Sequence, residues 1–168
     1  MVQVYTGDGK GKTTAAFGLA LRSVGAKKKI FIGQFVKGMK YSELNALKKL
    51  GSQVTVKQFG LSCFIRKTPT VKDIAKARCG FEEMKKILIK GSHDLVIMDE
   101  ANIAVYYNLF SIDELIEAVK ARAEWVEVVI TGRKADKKLI KFADLVTEMR
   151  EIKHYYTSGL QARVGIEK

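Results

Sequence analysis

The chain has 168 residues, 47% of them hydrophobic and 29% charged, and its 30 Lys and Arg against 18 Asp and Glu leave a formal charge of +12. That length suits one domain with a full core, the composition excludes a disordered chain, and no apolar run approaches the roughly 18 residues a membrane span needs. The lysine clusters at 27–29, 48–49, 85–86 and 137–138 are dispersed and lack interleaved aromatics, so the charge reads as a solvated coat rather than a nucleic-acid groove.

Residues 1–6 read as a strand, which leaves no stretch for a secretory leader, and a cytoplasmic location is expected. Residues 11–25 read as a helix with small or apolar Ala15, Leu19 and Val24, stopped by a glycine. A strand at 30–35, a helix at 41–50 and a strand at 54–59 follow, then a loop at 60–70 that holds the only proline, Pro69. The longest helical stripe runs through Val71, Ile74, Ala77, Phe81, Met84 and Leu88; Thr70 with Asp73 caps its start and Gly91 ends it. Residues 94–99 are an apolar strand tipped with acid, 111–123 a helix opened by a Ser111/Glu114 capping box, and 126–131 another apolar strand. A helix at 134–142, a strand at 145–149 and a mixed tail from 151, read as a hairpin strand and a docked loop, complete the chain. Alternating strands and helices predict a single α/β domain: a mostly parallel sheet with helices on both faces, of P-loop NTPase-like (RecA-like) type. Cys63 and Cys79 form no ligand-spaced pair, so reduced thiols are expected.

Between the first strand and the first helix lies Thr6-Gly7-Asp8-Gly9-Lys10-Gly11-Lys12-Thr13-Thr14. Glycines here let backbone N–H groups turn inward, the helix start adds partial positive charge, Lys12 can reach phosphate oxygens and the Thr13 hydroxyl can bind Mg²⁺. The first glycine stands one residue closer to Gly11-Lys12 than the usual spacing places it, so the cradle is expected to hold a phosphate chain differently from an ordinary NTPase. Asp99 and Glu100 end a buried strand, where nucleotide sites form in open sheets, and both are candidate Mg²⁺ ligands; Glu100 could instead cap a helix. Arg133, in Thr131-Gly132-Arg133, sits at another strand end and is a candidate phosphate clamp, the alternative being a surface arginine after a turn. His93 reads as structural; His154 is ambiguous.

Several segments together resemble the P-loop ATP:corrinoid adenosyltransferases, the enzymes acting on cob(I)alamin or cob(I)yrinic acid a,c-diamide. They are Tyr5 to Gly18, Gln34-Phe35-Val36-Lys37-Gly38, Met98-Asp99-Glu100, Ile130-Thr131-Gly132-Arg133, the stretch from Ala143 to Arg150, and the tail with Lys153-His154, Gly159, Ala162 and Gly165-Ile166-Glu167. The resemblance spans nearly the whole chain in order. It implies that a Co(I) corrinoid attacks the 5′ carbon of ATP, leaving adenosyl–cobalt and triphosphate, with the P-loop gripping the leaving group. It implies nucleotide binding by Gly7, Asp8, Gly9, Lys10, Gly11, Lys12, Thr13, Thr14 and Arg133, catalysis by Lys12 and Arg133, and Mg²⁺ or Mn²⁺ at Thr13, Asp99 and Glu100. An aromatic below the corrin ring falls at Phe64, while Arg66 stands where a tryptophan is familiar. The family further implies a homodimer and an electron donor such as a reduced flavoprotein, with no nucleic-acid or membrane partner. The N-terminal extension of some relatives has no counterpart here, so a lid is expected from residues 39–41 or from the tail. The rival readings are a recombinase-type ATPase acting on nucleic acid, a nucleoside kinase, and a nucleotide-binding regulator without turnover.

Overall fold

The computed structural model describes residues 1–39, 41–61 and 68–167. The elements, in chain order, are β1 (Val2–Thr6), α1 (Lys12–Gly25), β2 (Ile30–Phe35), α2 (Ser42–Lys48), β3 (Val54–Phe59), α3 (Val71–Lys90), β4 (Leu95–Asp99), α4 (Ala101–Tyr106), α5 (Ile112–Lys120), β5 (Glu127–Thr131), α6 (Lys137–Phe142) and β6 (Leu145–Glu148). The strands pair in the order β3-β2-β4-β5-β1-β6, every pairing parallel. The fold is the α/β, P-loop NTPase-like sheet that the alternation predicts, and all strand C-termini therefore lie along one edge.

Strand parity divides the core. Ile30 and Ile32 of β2, Leu95 and Ile97 of β4, and Val129 of β5 face α1 and α2, where Ala16, Ala20 and Leu47 pack on them. Phe31, Phe35, Val96, Met98, Val128 and Ile130 point the other way, onto Phe81, Met84 and Leu88 of α3 and Leu115 and Val119 of α5. Each large side chain buried on α3 contributes about 1.5–3 kcal/mol of transfer free energy. The central strands β2 and β4 are buried at every position because both faces are covered. Both predicted capping boxes form, Thr70 with Asp73 and Ser111 with Glu114, and Gly91 ends α3 in the left-handed conformation at φ 62°.

Four details differ from the sequence reading. The buried stripe of α1 is Lys12, Ala16 and Ala20, while Ala15 is exposed, because the loop before the helix sets its rotation and small alanines allow close approach to the sheet. Val71 and Ile74, the first two positions of the predicted α3 stripe, are exposed, and burial begins at Ala77. The short helix α4 follows β4 directly; it starts from a left-handed Glu100 at φ 58° without a side-chain cap, so no capping signal announces it. The tail contains no strand among its described residues; a 3₁₀ turn at Tyr155–Ser158 replaces the expected hairpin, and β6, exposed along its length, is one of the two edge strands.

Candidate functional site

The loop from β1 to α1 is built to accept an anion. Gly11 precedes α1 at φ 120° with no side-chain cap, and the first turn carries no acid, so the amide dipoles of a 14-residue helix meet the cleft uncompensated. Gly7 and Gly9 serve a second purpose that spacing does not reveal. A Cβ on either would lie within 2.4–2.9 Å of the backbone of Met149 or Arg150, the chain leaving β6, and Gly9 N donates to Met149 O at 2.7 Å. The loop is thus pinned from outside. Lys12 Nζ donates to Gly9 O at 2.6 Å, and burial, then the nearby Arg133 charge, pushes its pKa down.

Behind this loop the α1-facing side of the sheet changes character at its last rung. Ile30 and Ile32 are succeeded by Gln34, Leu95 and Ile97 by Asp99, and Val129 by Thr131, and the register sets Gln34 opposite Asp99. The Asp99 carboxylate is fully buried and accepts from four side chains: Thr13 Oγ1 at 2.8 Å and Thr131 Oγ1 at 2.6 Å on Oδ1, Gln34 Nε2 at 3.1 Å and Lys37 Nζ at 2.8 Å on Oδ2. Gln58 of β3 extends the rung by donating to Gln34 at 3.1 Å. Burial alone would raise the Asp99 pKa; the Lys37 charge and these hydrogen bonds outweigh it and hold the carboxyl below its ordinary value.

Lys37 reaches Asp99 through a strained turn. After β2 ends at Phe35, Val36 takes φ 48°, a left-handed conformation that costs a β-branched residue of order 1–3 kcal/mol. The Lys37 side chain is 12% exposed, and its ammonium also lies 3.2 Å from Thr13 Oγ1. Burial works against the ammonium, but the Asp99 carboxylate prevails and raises its pKa. Glu100 behaves oppositely: burial and the Asp99 charge push its carboxyl up. It stands at the N-cap position of α4, yet its side chain makes no cap; instead its backbone N–H donates to Thr131 Oγ1 at 3.0 Å and its carboxyl borders the cleft.

The cleft measures about 790 Å³ and collects Gly9 to Thr14, Lys37, Glu100 and Arg133, a volume in the range of small-ligand sites. Asp99 lies beneath it, behind Thr13. Gly7 acts as a turn against Met149, and Asp8 leans to Arg133, the two charges 4.0 Å apart with more than half of each side chain in solvent. Lys10 is tied to the tail at the rim of the cleft: its ammonium donates to Tyr155 Oη and Glu167 Oε1 at 2.9 Å each, and Arg163 holds the same carboxylate at 3.0 Å. The tail therefore forms a wall, with His154, Ala162 and Ile166 facing the cleft opposite Met39 and Tyr41. Both segments expected to supply a lid border the site; Phe64, Arg66, Cys63 and Lys40 lie outside the described residues. His93 is structural, its ring set edge-on against Phe31 at 5.4 Å. The sequence motifs give Gln34 and Lys37 no role, although the period-2 run Ile30, Ile32, Gln34 carries the signal for the former.

The donor set here, oxygens with a lysine ammonium between them, is of the kind that could hold a hard divalent ion. Thr13 Oγ1 and Asp99 Oδ2 are bridged by the Lys37 ammonium, which marks a cation position between hard ligands. Among the described residues no group of three or more His, Cys, Asp or Glu could enclose a metal, so phosphate oxygens would complete the coordination of Mg²⁺, as that ion ordinarily requires.

A sequence model of the family described as ATP:corrinoid adenosyltransferase BtuR/CobO/CobP matches residues 1–167. The chain is 36% identical to the corrinoid adenosyltransferase of Escherichia coli strain K12 over 168 residues, covering 99% of this chain and 85% of that protein. It is 35% identical to corrinoid adenosyltransferase CobA of Salmonella typhimurium with the same coverage, and 33% identical to the corrinoid adenosyltransferase of Pseudomonas aeruginosa over 98% of this chain and 81% of the relative. Among the described residues no helix is long and apolar enough to cross a membrane.

Proposed function

Because the chain belongs to the ATP:corrinoid adenosyltransferases and is thereby a transferase acting on corrinoids, we propose that it moves the 5′-deoxyadenosyl group of ATP onto the cobalt of a Co(I) corrinoid and releases triphosphate. The observation that carries this reading is the union, on one cleft, of an uncapped helix start, Lys12 held by a carbonyl and, among the described residues, by no carboxylate, and the half-exposed Arg133. These groups suit an anion that gains charge as it departs.

The electron pair of Co(I) forms the cobalt–carbon bond at C5′ while the C5′–O bond breaks, and its electrons pass to the triphosphate oxygen. Cobalt is the nucleophile, so no side chain has to remove a proton. The protein's share is alignment and charge stabilisation. Backbone N–H groups from Gly9 to Thr13 hold the phosphate chain. Lys12 exchanges Gly9 O for a phosphate oxygen, and Arg133, tethered only at 4.0 Å to Asp8, closes on the chain from the β5 exit. Thr13 and Asp99 would hold Mg²⁺, which neutralises polyphosphate charge when bound. A reduced flavoprotein donor, a homodimeric assembly and a cytoplasmic location belong to the same proposal.

An anaerobic assay with chemically reduced cobalamin and ATP tests it: the spectrum of the cobalt–carbon product should grow in step with triphosphate, and Lys12→Ala should slow both about 10²–10³-fold while remaining folded. ADP and phosphate as the products, stimulated by DNA or RNA, would instead support a recombinase-type ATPase.

A further inference from the structure

Lys37 is a buried cation that the reaction just described leaves without a task. Three independent features fix it in place. Its ammonium sits 2.8 Å from Asp99 Oδ2 and 3.2 Å from Thr13 Oγ1. The preceding Val36 is held at φ 48°, a strain that persists only where the surroundings over-determine it. The turn is also clamped to the exit of β3: Gly60 N donates to Lys37 O at 3.2 Å, a Cβ on Gly60 would lie 2.4 Å from Lys37 N, and one on Gly38 would lie 2.3 Å from Leu61 O. Without these glycines the two loops could not touch, and Lys37 could not turn back over the sheet edge.

We propose that Lys37 is the resident cation of this site, its ammonium occupying the position between Thr13 and Asp99 that a divalent ion takes when it arrives with the polyphosphate. Lysine and metal compete at Asp99 Oδ2, because two cations on one oxygen repel each other at contact distance. The nucleotide-free protein thereby keeps its buried acid neutralised and discriminates against free divalent ions; metal enters only where phosphate oxygens supply the remaining ligands. A displaced ammonium has a second resting place over the Tyr41 ring, whose centroid lies 5.6 Å away on the cleft wall. Lys37 is in this sense a positioning residue, acting through Asp99 and Thr13. The inference rests on reading that pair as metal-facing, and its test requires no turnover, so its failure is distinguishable from failure of the adenosyl-transfer reading.

The probe is Mn²⁺ alone, titrated against nucleotide-free protein and followed by the loss of the free-ion electron paramagnetic resonance signal. Lys37→Met should bind one Mn²⁺ at least roughly tenfold more tightly than the natural chain, since a contact charge is removed from the site. Adding Asp99→Asn to that variant should erase the gain, whereas Lys37→Arg, which keeps the charge, should bind as weakly as the natural chain. Lys37→Gln, which keeps a hydrogen bond to Asp99 without the charge, serves if Lys37→Met does not fold. Equal Mn²⁺ affinity with and without the Lys37 charge, or a gain that survives Asp99→Asn, overturns the proposal.

Discussion

Lys12, at the start of α1, and Lys37, past the end of β2, border the same cleft and are held in opposite ways. Among the described residues Lys12 has a single carbonyl partner, supplied by its own loop at 2.6 Å, and burial beside Arg133 makes its charge unwelcome. Lys37 has a full carboxylate at 2.8 Å, a hydroxyl at 3.2 Å and an aromatic face, and Asp99 makes its charge more stable than in water. A cation meant to receive a substrate's charge must be under-paired in the free protein. A cation meant to keep a buried acid in order must be fully paired.

The sharpest way to break this contrast is to remove the acid. Asp99→Ala strands the Lys37 ammonium and the Gln34 amide in a buried rung, and unpaired buried charge costs about 3–5 kcal/mol. Urea unfolding should show that loss as a lower midpoint. A shift of under about 1 kcal/mol would mean that the rung is solvated and that Lys37 is no better held than Lys12. Lys12→Ala should do the reverse: the folding midpoint stays nearly constant, because one hydrogen bond to Gly9 O is lost, while kcat/KM for adenosylation falls about 10²–10³-fold, the size expected for a charge-stabilising donor. Loss of stability with retained turnover would exchange the roles of the two lysines.

The same contrast explains what could be read in advance. The P-loop is contiguous, so glycines, Gly-Lys-Thr and strand-helix context appear together within nine residues, from Thr6 to Thr14. The polar rung is scattered over four strands: Gln58, Gln34, Asp99 and Thr131 share nothing in sequence and meet only through parallel register. Parity offers the missing signal, since each of the three central segments alternates apolar residues on the α1 face and ends polar on that face. The strained Val36 has no such signature, because β-branched residues ordinarily avoid positive φ. Lys10 illustrates the other limit: it lines the cleft, but its ionic partner Glu167 comes from a tail nearly 160 residues away, which no local pattern announces. Gly9 stands between these cases. It belongs to the expected cradle, but the absence of its Cβ also admits the backbone of Met149 and Arg150, at 2.7 and 2.8 Å from where that atom would be. Gly9→Ala should therefore cost about 1–3 kcal/mol of stability by forcing the β1 and β6 exits apart, in addition to weakening nucleotide binding; an unaltered urea midpoint would show that the outer pin is dispensable and that only the phosphate requires glycine here.

The smallest expected effect supplies the solvent-exposed counterpart of the Lys37–Asp99 pair. Arg78 on α3 and Glu114 on α5 also form an ion pair, but 45% and 42% of the two side chains remain in water. Glu114 additionally accepts the Ser111 backbone N–H in the capping box, the principal reason that its pKa falls from 4.5 to about 2. A carboxyl depressed by folding stabilises the native state at pH values above its unfolded pKa, and that contribution is lost as the pH drops from about 4.5 toward 2. Glu114→Gln keeps an acceptor for the Ser111 amide but has no charge to titrate, so stability should fall less steeply across that window, while at pH 7 the variant should lose under about 1 kcal/mol, as screened surface pairs do. Urea midpoints of both proteins, followed from pH 7 to 2.5, would decide the matter. A loss at pH 7 as large as that from Asp99→Ala would mean that desolvation is not what separates the two ion pairs, and the contrast drawn between the cleft lysines would lose its physical basis.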